Sequence, residues 1–205
     1  LSVSATDQKQ EQIIEAALKR FAHFGVAKTT MSEIADDLSL SKASLYYYFP
    51  DKTALVLAVG ENILSVFLDE QSKALANAQS FEEGINAIIE VRICFGRKYF
   101  MMHIGDGQSD VNTADPKFKT ALDHLKQTEL DMMAAYIRQY QKEKVLKDVD
   151  AKETAEVLLD VLVGLWIAEI HIHQKSFVPT NELFERIRTK TKRMVSIFCD
   201  GIKRN

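Results

Sequence analysis

The chain reads as all-α: a small N-terminal three-helix unit followed by a larger helical bundle, about nine helices in all. Three observations carry that reading. Apolar residues recur at helical spacing almost throughout, and no convincing alternating run suggests a strand. Helix start signals, an Asp, Ser or Thr followed three residues later by Glu or Gln, recur along the chain. The stretch from Thr29 to Leu55, TTMSEIADDLSLSKASLYYYFPDKTAL, reads as two short helices around a tight turn.

The first helix carries the stripe Ile13, Ile14, Ala17, Leu18 and Phe21, with Asp7 and Gln10 as its start signal and Gly25 as its stop. The second holds Met31, Ile34, Ala35 and Leu38, with Thr30 as N-cap and Glu33 completing a capping box. The third opens at Ser41-Lys42, turns Leu45 and Phe49 inward, and stops at Pro50. These three stripes can bury one another, which sets a first domain at residues 1–55 and a second at 56–205. In the second, Asp51 caps a helix running towards Ala78, and Ser80 with Glu83 opens one reaching about Phe95. Gly96 breaks or bends it before a short segment from Tyr99 to Ile104, and Gly105 to Ala114 is a flexible loop. Asp115-Pro116 starts a helix to about Lys142, since Pro suits the first helical position. Asp150 with Glu153 starts the next, and Pro179-Thr180 the last, ending near Gly201.

Composition narrows the function. With 46% hydrophobic and 27% charged residues the 205-residue chain is an ordinary globular protein. No uncharged apolar run approaches the about 18 residues that span a bilayer; the best, Val161 to Ala168, lies between Asp160 and Glu169. Asp7 to Gln12 is polar and unlike a signal peptide. Cys94 and Cys199 share no metal or redox spacing and read as buried thiols, so the expected compartment is the cytoplasm. His171 and His173 are two apart and diverge on a helix, and His23, His103 and His124 lack an acidic or thiol partner at ligand spacing. No GxSxG, P-loop or HExxH occurs. No cofactor, metal site or enzymatic activity is therefore expected.

What remains is nucleic-acid recognition, because a helix-turn-helix lays its second helix in the major groove. Ser41, Lys42, Ala43 and Ser44 fall in the first turn of that helix, the part that approaches base edges. Tyr46, Tyr47 and Tyr48 offer hydroxyls to phosphates and rings to thymine methyls. Successive residues sit about 100° apart, so the three cannot face one way, and Tyr48 is the one placed to turn inward. Thr30, at a helix N-terminus, and Lys28 and Lys52 are the candidate phosphate contacts. The formal net charge of −3 is awkward here. Affinity must come from a few placed cations, hydroxyls and helix N-termini, bound in two copies.

Thr30, Ile34-Ala35, the run Ser41-Lys42-Ala43-Ser44-Leu45-Tyr46-Tyr47-Tyr48-Phe49 and Lys52 together resemble the DNA-binding domain of the TetR family of transcriptional repressors, over about residues 8–60. Two positions depart from the pattern: Ser39 stands where the family has a turn glycine, and Leu38 where it has a small residue. A left-handed Ser costs on the order of 1 kcal/mol, which predicts a slightly different turn. The resemblance implies a homodimeric repressor that binds a palindromic double-stranded operator and is released by a small apolar or amphipathic effector. It also implies an effector pocket in the larger domain, for which the aromatic and Met residues Phe67, Phe95, Tyr99, Met102, Met133, Tyr136 and Trp166 are the candidates. Pairing of the last two helices across a twofold axis makes Leu158, Leu162, Leu165, Phe184, Ile187 and Phe198 the candidate seam. The basic run Arg186, Arg188, Lys190, Lys192 and Arg193 reads as a solvated face over a packed one. The competing reading is a small-molecule-binding or enzymatic bundle with a non-functional helix-turn-helix, favoured by the acidity and by Ser39.

Overall fold

The computed structural model describes residues 5–100, 115–173 and 179–204. The described residues form eight helices: α1 (Ala5–Phe24), α2 (Met31–Asp37), α3 (Lys42–Tyr48), α4 (Lys52–Asn77), α5 (Phe81–Lys98), α6 (Pro116–Lys142), α7 (Ala151–His173) and α8 (Asn181–Ile202). The only β-type pairing among them is an isolated bridge between Leu146 and Lys203. The short segment expected from Tyr99 begins as a turn, and its remainder, with the loop Gly105 to Ala114, lies outside the described residues.

The caps explain where the helices start. Thr30 and Glu33 form a complete capping box on α2, and the Ser41 side chain accepts from Ser44 N–H on α3. Asp51 accepts from Ala54 N–H at 2.7 Å, and Asp115 from Lys117 N–H at 2.9 Å. Asp150 accepts from both Lys152 and Glu153, and Thr180 from Leu183. Ser80 caps α5 through Glu83 N–H, but Glu83 reaches back to Gln79 N–H, one residue earlier than a standard box. Two start and stop signals read differently. α1 begins at Ala5, so Asp7 lies in its first turn, where a carboxylate still favours the helix dipole. α5 continues through Gly96, whose bare backbone faces the Trp166 ring: a Cβ there would stand 2.0 Å from Trp166 Cη2.

The described residues group into two compact units. One falls within Leu1–Val66 and Lys98–Leu122, the other within Phe67–Arg97 and Asp123–Asn205. The first is built on Ile13, Ala17, Phe21, Ile34, Leu45 and Leu55, all fully buried, with Tyr48, Tyr99 and Phe118 packed against the cluster. The second is built on Ile85, Ile88, Ile89, Met133, Ile137 and Leu158, also fully buried. Gly84 lets α5 and α6 approach closely there, since a Cβ at that position would stand 2.1 Å from the Tyr136 hydroxyl. Cys199 is buried, and burial pushes its thiol up to about 12; Cys94, expected to be buried, is exposed on α5. The basic face of α8 is tied down rather than merely solvated. Arg188 and Lys192 both pair with Glu90 on α5, and Lys190 pairs with the buried Glu169 on α7.

The turn between α2 and α3 closes with a Schellman pattern. Leu40 N–H donates to Ala35 O at 2.9 Å and Ser39 N–H to Asp36 O at 3.0 Å. This requires a left-handed residue after the cap, and Ser39 supplies it at φ 51°. Ser39→Gly removes the Cβ penalty and should stabilise the chain by about 1 kcal/mol in urea unfolding. An unchanged or lower midpoint would show that Ser39 carries no strain.

Candidate nucleic-acid interface

Exposure along α3 follows the helical faces. Lys42, Ala43, Tyr46 and Tyr47 are exposed together, as residues spaced by three and by four share a side of the helix. Tyr47 is 79% exposed and Tyr46 47%. Leu45 and Phe49 are buried on the opposite side. Ser44 and Tyr48 lie on the flank, partly buried, and Tyr48 packs on the core while its ring meets Tyr47 edge-on at 5.2 Å. The inward turn of one tyrosine thus falls on Tyr48. Ser41 and Ser44 are bridged hydroxyl to hydroxyl at 2.8 Å, which stiffens the first turn.

The flanking candidates divide. Lys28 and Thr30 are exposed before α2. Thr30 N–H and Oγ1–H both donate to Glu33 Oε2 at 2.8 Å. Lys52, a candidate phosphate contact, is only 9% exposed at the start of α4. Neighbouring Thr29 is almost fully buried, and its hydroxyl donates to Gly25 O at 2.9 Å.

A residue that sequence reading passed over fixes α1 against α2. Arg20 holds Asp37 through two guanidinium nitrogens, one at 2.8 Å, and also lies 3.5 Å from Glu33. Nothing in the spacing announces this pair, because its members are 17 residues apart. The Arg20 guanidinium holds the Asp37 carboxyl below its ordinary range, and hydrogen bonds from Thr30 do the same for Glu33.

The family described as bacterial regulatory proteins, tetR family, matches residues 13–59, which contain α2, α3 and this pair. The crystal structure of a transcriptional regulator from Cytophaga hutchinsonii ATCC 33406 is 32% identical, with a TM-score of 0.84 over 97% of this chain and 100% of that one. The chain belongs to the TetR family. The HTH-type transcriptional regulator RutR of Escherichia coli (strain K12) is 42% identical over 64 residues, 31% of this chain. That alignment spans only 30% of the length of RutR. A putative TetR-family transcriptional regulator from Mesorhizobium loti MAFF303099 shares the fold, with a TM-score of 0.77 over 98% of this chain and 100% of that one at 18% identity.

The other candidate residues of this TetR-family chain scatter. Met133 is fully buried, and Tyr136 lies between Phe81 and Tyr140, its hydroxyl donating to Ser80 O at 3.1 Å, with burial raising its pKa. Phe67 and Phe95 meet at 5.1 Å and are partly exposed, and Trp166 packs against Phe184 at 6.0 Å. Tyr99 falls in the first unit, and Met102 lies outside the described residues. In the helix pair α7 and α8, Leu158, Leu162, Phe184 and Ile187 are buried within the single chain, while Leu165 and Phe198 line an apolar groove.

The lowered carboxyls give a pH expectation. Their folded pKa values lie below the unfolded ones, so their contribution is complete above about pH 4 and is lost as pH falls through the folded values. Asp37→Asn should therefore flatten the acid-side fall in thermal midpoint. An identical fall in the variant would remove the Arg20–Asp37 pair from the stability of this unit.

Proposed function

We propose that the chain is a homodimeric, ligand-responsive repressor acting in the cytoplasm on a near-palindromic operator, and released from it by a small apolar or amphipathic effector. The observation that supports this most is the α3 face. Lys42, Ala43, Tyr46 and Tyr47 project together from a helix whose other side is locked into a core. On a bound operator the two α3 helices would lie about 34–36 Å apart, one turn of B-DNA. Lys28 and Thr30 then serve backbone phosphates, with Ser41 and Ser44 beside them at the helix N-terminus.

Dimerisation falls to the outward side of α7 and α8. Val157, Val161 and Leu165 form one stripe on α7 at spacings of four, the first two exposed. Leu165 also lines a groove with Lys190, Arg193, Met194, Ile197 and Phe198 of α8. Ile197 is 67% exposed. An apolar groove with a charged rim has the anatomy of an interface core, and two helices from each copy close a four-helix bundle. The sequence candidates Leu165 and Phe198 keep their place in this seam; Leu158, Leu162, Phe184 and Ile187 support it from behind. Effector binding would act by population shift, favouring the state whose heads are wrongly spaced for the operator.

Selection of random duplex DNA on the purified protein at near-physiological salt tests the central claim. A palindromic consensus bound by a dimer is expected; no enrichment at any salt concentration would defeat it. Lys42→Ala and Tyr47→Ala should each change the selected sequence as well as the affinity, and identical profiles in both would remove these side chains from base readout. Ile197→Glu should convert the dimer to a monomer in sedimentation analysis and abolish operator binding at concentrations where the parent binds. A dimer that persists in the variant would place the seam elsewhere.

A further inference from the structure

The larger unit buries a polar cluster that its own packing does not complete. Gln71, on α4, is 0% exposed, and its Nε2 donates to Glu129 Oε1 of α6 at 2.7 Å. Arg92, on α5, donates from Nη2 to the same oxygen at 2.6 Å. A carboxylate oxygen only accepts, so the Gln71 amide must turn its nitrogen to Glu129 and its carbonyl away. Among the described residues that carbonyl, Oε1, has no hydrogen-bond partner, and neither has Arg92 Nε. An orphaned buried polar atom is rare because it forfeits its hydration without replacement, and here one acceptor and one donor are orphaned on side chains that share a single carboxylate oxygen.

The walls beside the cluster are aromatic. The Arg92 guanidinium lies 5.6 Å from the Phe67 ring centroid, and Phe67 meets Phe95 at 5.1 Å. Arg92, Phe67 and Phe95 are each partly exposed, while Gln71 behind them is wholly buried. Its charges already cancel, guanidinium against carboxylate. An ionic guest would be desolvated there without a counter-charge, whereas a neutral group that both donates and accepts would complete both orphans.

We propose that Gln71 and Arg92 form the polar end of the effector site, and that the effector is an uncharged, apolar molecule carrying one hydroxyl or amide. This rests on the ligand-responsive reading above and specifies its chemistry. The ligand's O–H or N–H donates to Gln71 Oε1, its oxygen accepts from Arg92 Nε–H, and its apolar body lies against Phe67 and Phe95. Glu129 touches no ligand; it positions the two side chains that do.

The test uses the full chain and four probes of one skeleton: 2-phenylethanol, phenylacetamide, phenylacetate and 2-phenylethylamine. Binding is followed by calorimetric titration, and operator binding by fluorescence anisotropy on the DNA recovered by selection. The alcohol and the amide should bind at least ten-fold better than the anion and the cation, and should weaken operator binding. Gln71→Met should lower affinity for both by about ten-fold. If that variant does not fold, Arg92→Lys, which keeps the charge on Glu129 and removes Nε, serves in its place with the same expectation. Equal binding of the charged probes, unchanged affinity in a folded variant, or no probe binding to a chain that still holds its operator would overturn the site and leave the regulator reading standing. Probe binding by a chain that holds no DNA would support the site and overturn that reading.

Discussion

Helices α2 and α3 have seven residues each, well below the about 12–15 at which an isolated helix becomes marginal in water. Their orientation therefore depends on the caps at Thr30 and Ser41, the Schellman turn through Ser39, and the core beneath Ile34, Leu45 and Phe49. Each device satisfies backbone groups that so short a helix cannot satisfy internally. The exposed face of α3 is consequently not a choice open to the helix. With Leu45 and Phe49 inside, Lys42, Ala43, Tyr46 and Tyr47 must be outside.

The acidic balance of the chain also becomes intelligible at this level. Arg20, the only arginine in the first unit, is engaged with Asp37 and Glu33, and Lys52 is largely withdrawn from solvent. The carboxylates that seemed to oppose DNA binding hold the scaffold: Glu33 closes the capping box, Asp37 anchors α1, and Asp51 caps α4. Net charge measures the long-range field, which salt screens within about 8–10 Å; it does not measure the few donors placed at the contact. On the proposed reading, a regulator so built would gain less non-specific affinity and rely more on the shape and hydroxyls of α3.

Much of this was legible because local rules decided it. Thr30, Asp51, Asp115 and Asp150 cap as read, α8 starts after Thr180, and α6 runs to Lys142. The misreadings in the larger unit trace to packing that the sequence does not display. Gly96 looked like a breaker, yet α5 passes through it because the Trp166 ring lies against its bare backbone. Cys94 is exposed because the buried stripe of α5 runs through Ile85, Ile88, Ile89 and Ile93 and leaves its neighbour outside. In α7 and α8 a hydrophobic residue can serve the chain's own core or a partner's, and periodicity alone does not separate the two uses. Leu158 and Val157 are adjacent, equally apolar, and buried and exposed respectively.

The polar cluster at Gln71 was invisible for a related reason. No sequence rule links residues 71, 92 and 129, which meet only once α4, α5 and α6 are packed. A bundle selected for stability alone would fill this position with aliphatic side chains, since replacing a buried ion pair by well-packed apolar groups is often neutral or stabilising. Keeping three polar side chains there, two of them with an unmet hydrogen bond, makes the unit less stable than an all-apolar alternative. On the effector-site proposal this deficit has a use: a bound ligand would supply the missing partners and favour whichever conformation presents the orphaned atoms. Because α4 begins in the unit that carries α3 and ends beside this cluster, one helix spans the chain positions of both.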